Sequence, residues 1–225
     1  MSTSSISTLP EEDSSLESAS SLDGFSPSRK SVRSDSFASF EDADESWYRE
    51  ASTSLLNAME GDHPVAVASL ELNGLRMTAN ASWHQVRRAV VTALITRIEQ
   101  VVTQESLTNK VATKNVAERW LEIVNRCIHE RKDQSDFLLL AQRECCGRKA
   151  GESLLLNFVQ VLNYDLEIID EEAVHDWWLN EASTKDDKMK AVRKPTEAFV
   201  RWLSEAESES EESGEEGDGE ESDEE

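Results

Sequence analysis

His175 and Asp176 are adjacent, and an imidazole beside a carboxylate is the smallest set that could move a proton. The simpler reading is a polar pair on a helix surface. Cys145 and Cys146 could offer a thiolate, but next to an apolar helical run they read as packing at a helix end. The four histidines, His63, His84, His129 and His175, are scattered, and none stands at metal-ligand spacing with another, so no metal and no cofactor are expected. A P-loop, GxGxxG, HExxH and a nucleophile elbow are all absent. Hydrolase or transferase chemistry is therefore disfavoured. A chain of this kind accelerates a reaction by binding and reshaping another protein, without covalent chemistry of its own.

The chemistry the residues do support is the binding of cations. Asp170, Glu171 and Glu172 lead into Trp177 and Trp178. Phe199, Val200, Trp202 and Leu203 lead into a tail beginning with Glu205, Glu207 and Glu209. About a dozen carboxylates follow Leu203, with no lysine or arginine among them. Such a run repels itself, stays solvated and points to a cationic partner. Two aromatic and acidic clusters this close together predict a docking surface for a lysine-rich segment. Each aromatic keeps a second reading. Neighbouring residues on a helix diverge by about 100°, so Trp177 and Trp178 are either both core or divided between core and surface. Trp202 either packs or docks, and the tail could serve solubility alone. Ser204, Ser208 and Ser213 each have a glutamate three residues on, a context resembling casein kinase two sites. Phosphate there would add negative charge to the tail and tighten its hold on lysines.

A third stretch stands apart. Val65, Ala68, Leu72, Leu75 and Ala79 share one helical face, while Leu70 and Met77 point roughly opposite, with Glu71 beside the centre of neither stripe. Either this helix is buried on two sides, or Leu70, Glu71 and Met77 form a partner surface.

The elements that must hold these residues are helices. Of the net charge of −23 over 225 residues, residues 204–225 carry about −13 and residues 1–45 about −7, leaving about −3 between them. Phosphates need basic patches, so nucleic acid is not expected as a direct partner. No run approaches the eighteen or so apolar residues of a membrane span, and no secretory signal opens the chain. Three cysteines without CxxC spacing fit a reducing, cytoplasmic setting. Residues 1–45 are serine-rich and acidic, with Pro10, Gly24 and Pro27, and read as a disordered linker that a folded part normally precedes. From 46 to 203 the apolar residues keep a 3.6-residue period, and no period-two alternation competes with it. The expected fold is all-α: a HEAT-like stack of about eight antiparallel helices, with residues 204–225 as a disordered acidic tail. Pro195 should kink or split the last helix.

Three separated motifs carry a resemblance: Leu70-Glu71-Leu72-Asn73-Gly74-Leu75-Arg76-Met77-Thr78-Ala79-Asn80, Asp176-Trp177-Trp178, and Phe199-Val200-Arg201-Trp202-Leu203 with its acidic tail. In this order they resemble the C-terminal exchange segment of the epsilon subunits of initiation factor two B, the guanine-nucleotide exchange factors of eukaryotic translation initiation. The resemblance covers roughly residues 46–225. Domains of initiation factor five and of the four-G scaffolds share the two aromatic and acidic boxes but lack an exchange-active first part. The run beginning at Leu70 separates the two groups.

The resemblance implies a HEAT-like helical domain, normally preceded by a nucleotidyltransferase-like domain and a left-handed β-helix. It implies that Glu71 is the family's catalytic glutamate, Leu70 its functional neighbour and Trp202 the tryptophan of the second box. It implies that the boxes grip lysine-rich blocks in the tail of the beta subunit of initiation factor two. The surface of Glu71 would engage the G domain of its gamma subunit, and the other subunits of initiation factor two B would be further partners. GDP leaves when the exchange factor binds the nucleotide-free state better than the loaded one. Two other readings compete: an adaptor that docks basic tails without exchange, and an acidic chaperone of basic proteins.

Overall fold

The computed structural model describes the backbone of residues 35–212 and the side chains of residues 45–206. Apolar residues at spacings of three and four make every regular element helical, and no strand occurs among the described residues. The helices are α1 (Asp35–Glu60), α2 (Val65–Ala79), α3 (Trp83–Glu105), α4 (Asn109–Arg119), α5 (Leu121–Cys127) and α6 (Arg131–Cys145). They continue as α7 (Gly151–Gln160), α8 (Glu171–Leu179), α9 (Asp187–Arg193) and α10 (Glu197–Glu212).

They stack in two rows, in the manner of HEAT repeats. One row runs α1, α3, α6, α8, α10, each packed on the next; α2, α4 with α5, α7 and α9 cover it. Leu94 and Ile98 of α3, Phe137 of α6, Phe158 of α7 and Trp177 of α8 are fully buried, and the rings of Phe137 and Phe158 stack 6.1 Å apart. Buried charge braces the rows where apolar packing cannot. Arg87 of α3 pairs with Asp133 (2.9 Å) and Asp136 (2.8 Å) of α6 and donates to the Cys127 carbonyl at 3.1 Å. Removing Arg87 would leave the largely buried Asp133 carboxylate without its charge partner, which ordinarily costs about 3–5 kcal/mol.

The loops follow from local chemistry. Ser82 and Gln85 form a reciprocal capping box at the start of α3. Gly147, at φ +84°, turns the chain out of α6. Gly151 opens α7 so close to α6 that an added Cβ would lie 2.1 Å from the Cys145 carbonyl oxygen.

Three expected helices are subdivided. The run from Val116 to Ile128 breaks at Trp120 (φ −108°, ψ 16°), because α4 packs on α3 and α7 while α5 packs on α2 and α3. The run from Leu154 to Leu162 passes into a π turn at Val161–Asp165, where the Leu166 N–H donates to the Val161 carbonyl. Pro195 splits the last helix through a 3₁₀ turn at Lys194–Thr196. Both end helices run past the boundaries expected at 46 and 203, since α1 starts at Asp35 and α10 ends at Glu212. Composition reports whether a segment can build a core, whereas a helix already nucleated by packed residues extends at little further cost. No helix among the described residues is long and apolar enough to cross a membrane.

Candidate functional site: two exposed surfaces at opposite ends of the stack

The first surface lies on α2. Ala68, Ser69 and Leu72 are buried, and the Trp47 indole of α1 donates to the Leu75 carbonyl at 3.0 Å, which fixes the rotation of α2. That rotation turns Leu70 and Met77 into solvent, 69% and 67% exposed, together with Val67. Of the two readings open for this helix, burial on both sides is thereby excluded. Gly74 lies between Leu70 and Met77 on the helix, and an added Cβ there would meet nothing within 4 Å. Glu71 sits at the α1 edge of this surface, where Ser54 Oγ donates to its Oε1 at 2.6 Å. The surface thus combines exposed apolar side chains with one carboxylate held in place at its edge.

The second surface is aromatic and acidic. Trp202 of α10 is 47% exposed; its ring stacks on Phe199 (5.8 Å, 25°) and meets Tyr164 edge-on (5.9 Å, 69°). Phe199 is itself buried and acts as the anchor under Trp202. Tyr164 was not among the residues expected here. The π turn turns it outward, and the only sequence signal was an aromatic ring shortly before Asp170-Glu171-Glu172. Beside the rings runs a groove of about 700 Å³ lined by Tyr164, Glu167, Ile169, Asp170, Glu171 and Glu172. Exposed aromatic faces next to carboxylates attract ammonium groups through cation–π contact and ion pairing.

Other expected residues are placed differently. Trp177, expected among the docking residues, is fully buried and presents nothing to a partner. Its indole donates to Gln142 Oε1 at 2.8 Å, while Gln142 Nε2 donates to the carbonyls of Ser183 (2.7 Å) and Met189 (2.8 Å). It thereby ties α8 to α6 and to the segment leading into α9. Trp178 is half-buried and covered by the Arg193 guanidinium at 3.9 Å, which also donates to the Trp178 carbonyl. Adjacent tryptophans thus divide between core and a capped rim, as the 100° step allows.

Asp176 accepts from Arg131 at 2.6 and 2.9 Å, and the His175 ring instead lies 3.4 Å from Ser204 Oγ. The two do not form an acid–base pair. Asp170 exchanges hydrogen bonds with Gln134 and still lines the groove. Glu205 is exposed, whereas Glu207, Ser208 and Glu209 lie outside the described side chains and Ser213 outside the described residues. Burial pushes the Cys127 and Cys145 thiols up to about 12, so neither is a nucleophile.

The two surfaces do not meet. α2 packs on α1 and α5 at one end of the stack, and α10 on α8 and the Lys194–Thr196 turn at the other.

Residues 133–213, the part bearing the aromatic and acidic surface, match the family described as W2: eIF4-gamma/eIF5/eIF2-epsilon. Over 189 residues the chain is 34% identical to the translation initiation factor eIF2B subunit epsilon of Schizosaccharomyces pombe, which accounts for 83% of this chain and 26% of the relative. Over 69 residues it is 45% identical to the probable eukaryotic translation initiation factor 5-2 of Arabidopsis thaliana, or 30% of this chain and 16% of that one. What the chain resembles along most of its length is therefore the C-terminal segment of an eIF2B epsilon subunit, of which it spans about a quarter.

Proposed function

We propose that this chain is a guanine-nucleotide exchange domain of translation initiation, promoting GDP release from eukaryotic initiation factor two in the cytoplasm. Leu70, Glu71 and Met77 engage the G domain of the gamma subunit. Trp202, Tyr164 and the neighbouring carboxylates hold the lysine-rich tail of the beta subunit. Residues 1–45 serve as a tether to the rest of an epsilon subunit within initiation factor two B, and residues 204–225 as an acidic extension of the docking surface. Phosphorylation at Ser204, Ser208 and Ser213 strengthens that extension; equal affinity of phosphorylated and dephosphorylated chain for a lysine-rich peptide would rule this out.

The observation that carries the reading is the exposed apolar patch on α2, with Glu71 held by Ser54 at its edge. A helix of a stable domain has no folding reason to expose Leu70 and Met77 side by side with a held carboxylate. Contact with the G domain in its nucleotide-free form would lower the cost of losing GDP, which is all that exchange requires. The test is release of fluorescent GDP from purified initiation factor two. The chain should accelerate it in a concentration-dependent way, and an unchanged rate at saturating chain would refute exchange.

A second reading has one observation in its favour. The matched family segment, 133–213, contains the docking surface and omits Glu71. An adaptor that binds basic tails would need no more than that segment, and it would bind initiation factor two without altering GDP release.

A further inference from the structure

On the side of α2 away from α1, a groove of about 320 Å³ opens between α2, α3 and α5. Its walls are apolar (Leu72, Val86, Ile123 and the ring of Trp83) and its rim carries Arg76 and Arg126. The two arginines differ. Arg126 is paired with Glu122 on its own helix at 2.7 Å. Arg76 lies with its guanidinium 4.5 Å from the centre of the Trp83 ring, and its Nε donates to Asn73 Oδ1 at 3.4 Å. Its terminal nitrogens make no hydrogen bond or ion pair among the described residues. A guanidinium laid on an aromatic face with its fork free is pre-organised for a carboxylate.

The groove is continuous with the α2 patch. Asn73 links them, reaching Met77 Sδ at 3.8 Å on one side and Arg76 on the other. The surface thus runs from Glu71 across Leu70 and Met77 to Asn73, Arg76 and Trp83. In a chain of net charge −23, an unpaired arginine over an apolar cleft selects a segment of opposite charge.

We propose that this groove receives an acidic segment of the G-protein partner, with a carboxylate on Arg76 and an adjoining apolar side chain against Trp83, Val86 and Ile123. The inference rests on the exchange reading above and extends its contact surface. A phosphate is disfavoured as occupant, because the walls offer hydrocarbon where a dianion needs several donors. The chain's own C-terminal acidic tail follows α10, at the other end of the stack.

The test uses the full chain with its tryptophan indoles labelled, titrated with nucleotide-free gamma subunit of initiation factor two and, separately, with a lysine-rich peptide. The Trp83 indole signal, assigned by its loss in W83F, should shift with the gamma subunit and stay fixed with the peptide. R76M should weaken binding of the gamma subunit about tenfold and R76E further, with thermal melting unchanged in both. R76K should form a carbodiimide cross-link to an aspartate or glutamate of the gamma subunit that R76M does not form.

If wild type binds the gamma subunit and R76E binds it equally well, the groove assignment is wrong and the exchange reading stands. If wild type neither binds the gamma subunit nor accelerates GDP release, both fall together. A Trp83 shift produced simply by deleting residues 1–34, with no partner present, would make the chain's own N-terminal stretch the occupant and overturn the proposal.

Discussion

Ser54 of α1 donates a 2.6 Å hydrogen bond to Glu71 Oε1 of α2, so the carboxylate at the edge of the exposed patch is held by the neighbouring helix. One oxygen is thereby engaged while the residue as a whole remains exposed. Ser54→Ala would release the side chain to sample other rotamers without disturbing the core. The expected result is an exchange rate lowered about threefold to tenfold, the worth of one solvent-exposed hydrogen bond of about 0.6–1.4 kcal/mol, with melting temperature unchanged. Stopped-flow release of labelled GDP measures the first and calorimetry the second; an unaltered rate would show that Glu71 needs no positioning.

Gly74 offers a probe of the patch itself. It sits within α2 on the open face, so Gly74→Ala should stabilise the domain by about 0.5–1 kcal/mol through reduced backbone entropy of the unfolded chain. Gly74→Tyr should also fold, because the space beyond is empty, but its ring would stand between Leu70 and Met77 and block a partner. Denaturant melts and affinity for the gamma subunit together decide this. Full affinity in Gly74→Tyr would mean that the face is not used.

The tryptophans separate stability from binding. Gln142→Leu would leave the Trp177 indole and the carbonyls of Ser183 and Met189 unsatisfied in the core, at a cost of about 3 kcal/mol or more in urea unfolding. Trp202→Ala should cost stability only about 1 kcal/mol, since the ring is half exposed, yet weaken binding of a lysine-rich peptide severalfold. Tyr164→Ala should weaken it in the same sense. The residual affinity should fall steeply with salt, as expected for lysines on exposed carboxylates.

Alkaline pH should destabilise the fold through the buried thiols. Cys127 and Cys145 are held up to about 12 by burial, whereas in the unfolded chain they ionise near the usual value of about 8.5. Between those values the unfolded state has lost protons that the folded state keeps, so stability falls as pH rises. Each thiol contributes a slope of about 1.4 kcal/mol per pH unit. Melts from pH 8 to 11 should therefore be steeper for wild type than for a Cys127→Val, Cys145→Ala variant. Parallel curves would contradict the burial of both groups.

How much of this was legible beforehand depends on what period and composition can report. The helical runs follow from which residues recur at three and four, and the split at Pro195 from proline's missing N–H. Period alone marked the second apolar stripe at Leu70 and Met77 but left open whether it is buried, which the packing of α2 on α1 decides. Tyr164 was missed because a π turn inserts an extra residue into the period, and nothing in the local residue types announces it. The role of Trp177 was misjudged for a related reason. Asp176-Trp177-Trp178 looks like one cluster in sequence, but α8 turns Trp177 onto Gln142, 35 residues earlier in the chain, and leaves Trp178 at the rim. The break at Trp120 is likewise set by which helices α4 and α5 must cover, a tertiary demand with no local mark.

The central claim is that exchange resides on α2 and docking on α10. The most direct test is the rate of GDP release from initiation factor two as a function of chain concentration, for wild type, Glu71→Ala and Trp202→Ala. The account predicts that Glu71→Ala lowers the rate reached at saturation, while Trp202→Ala reaches the wild-type rate at a higher concentration. A full saturating rate in Glu71→Ala, or a saturating rate lost in Trp202→Ala, would contradict it.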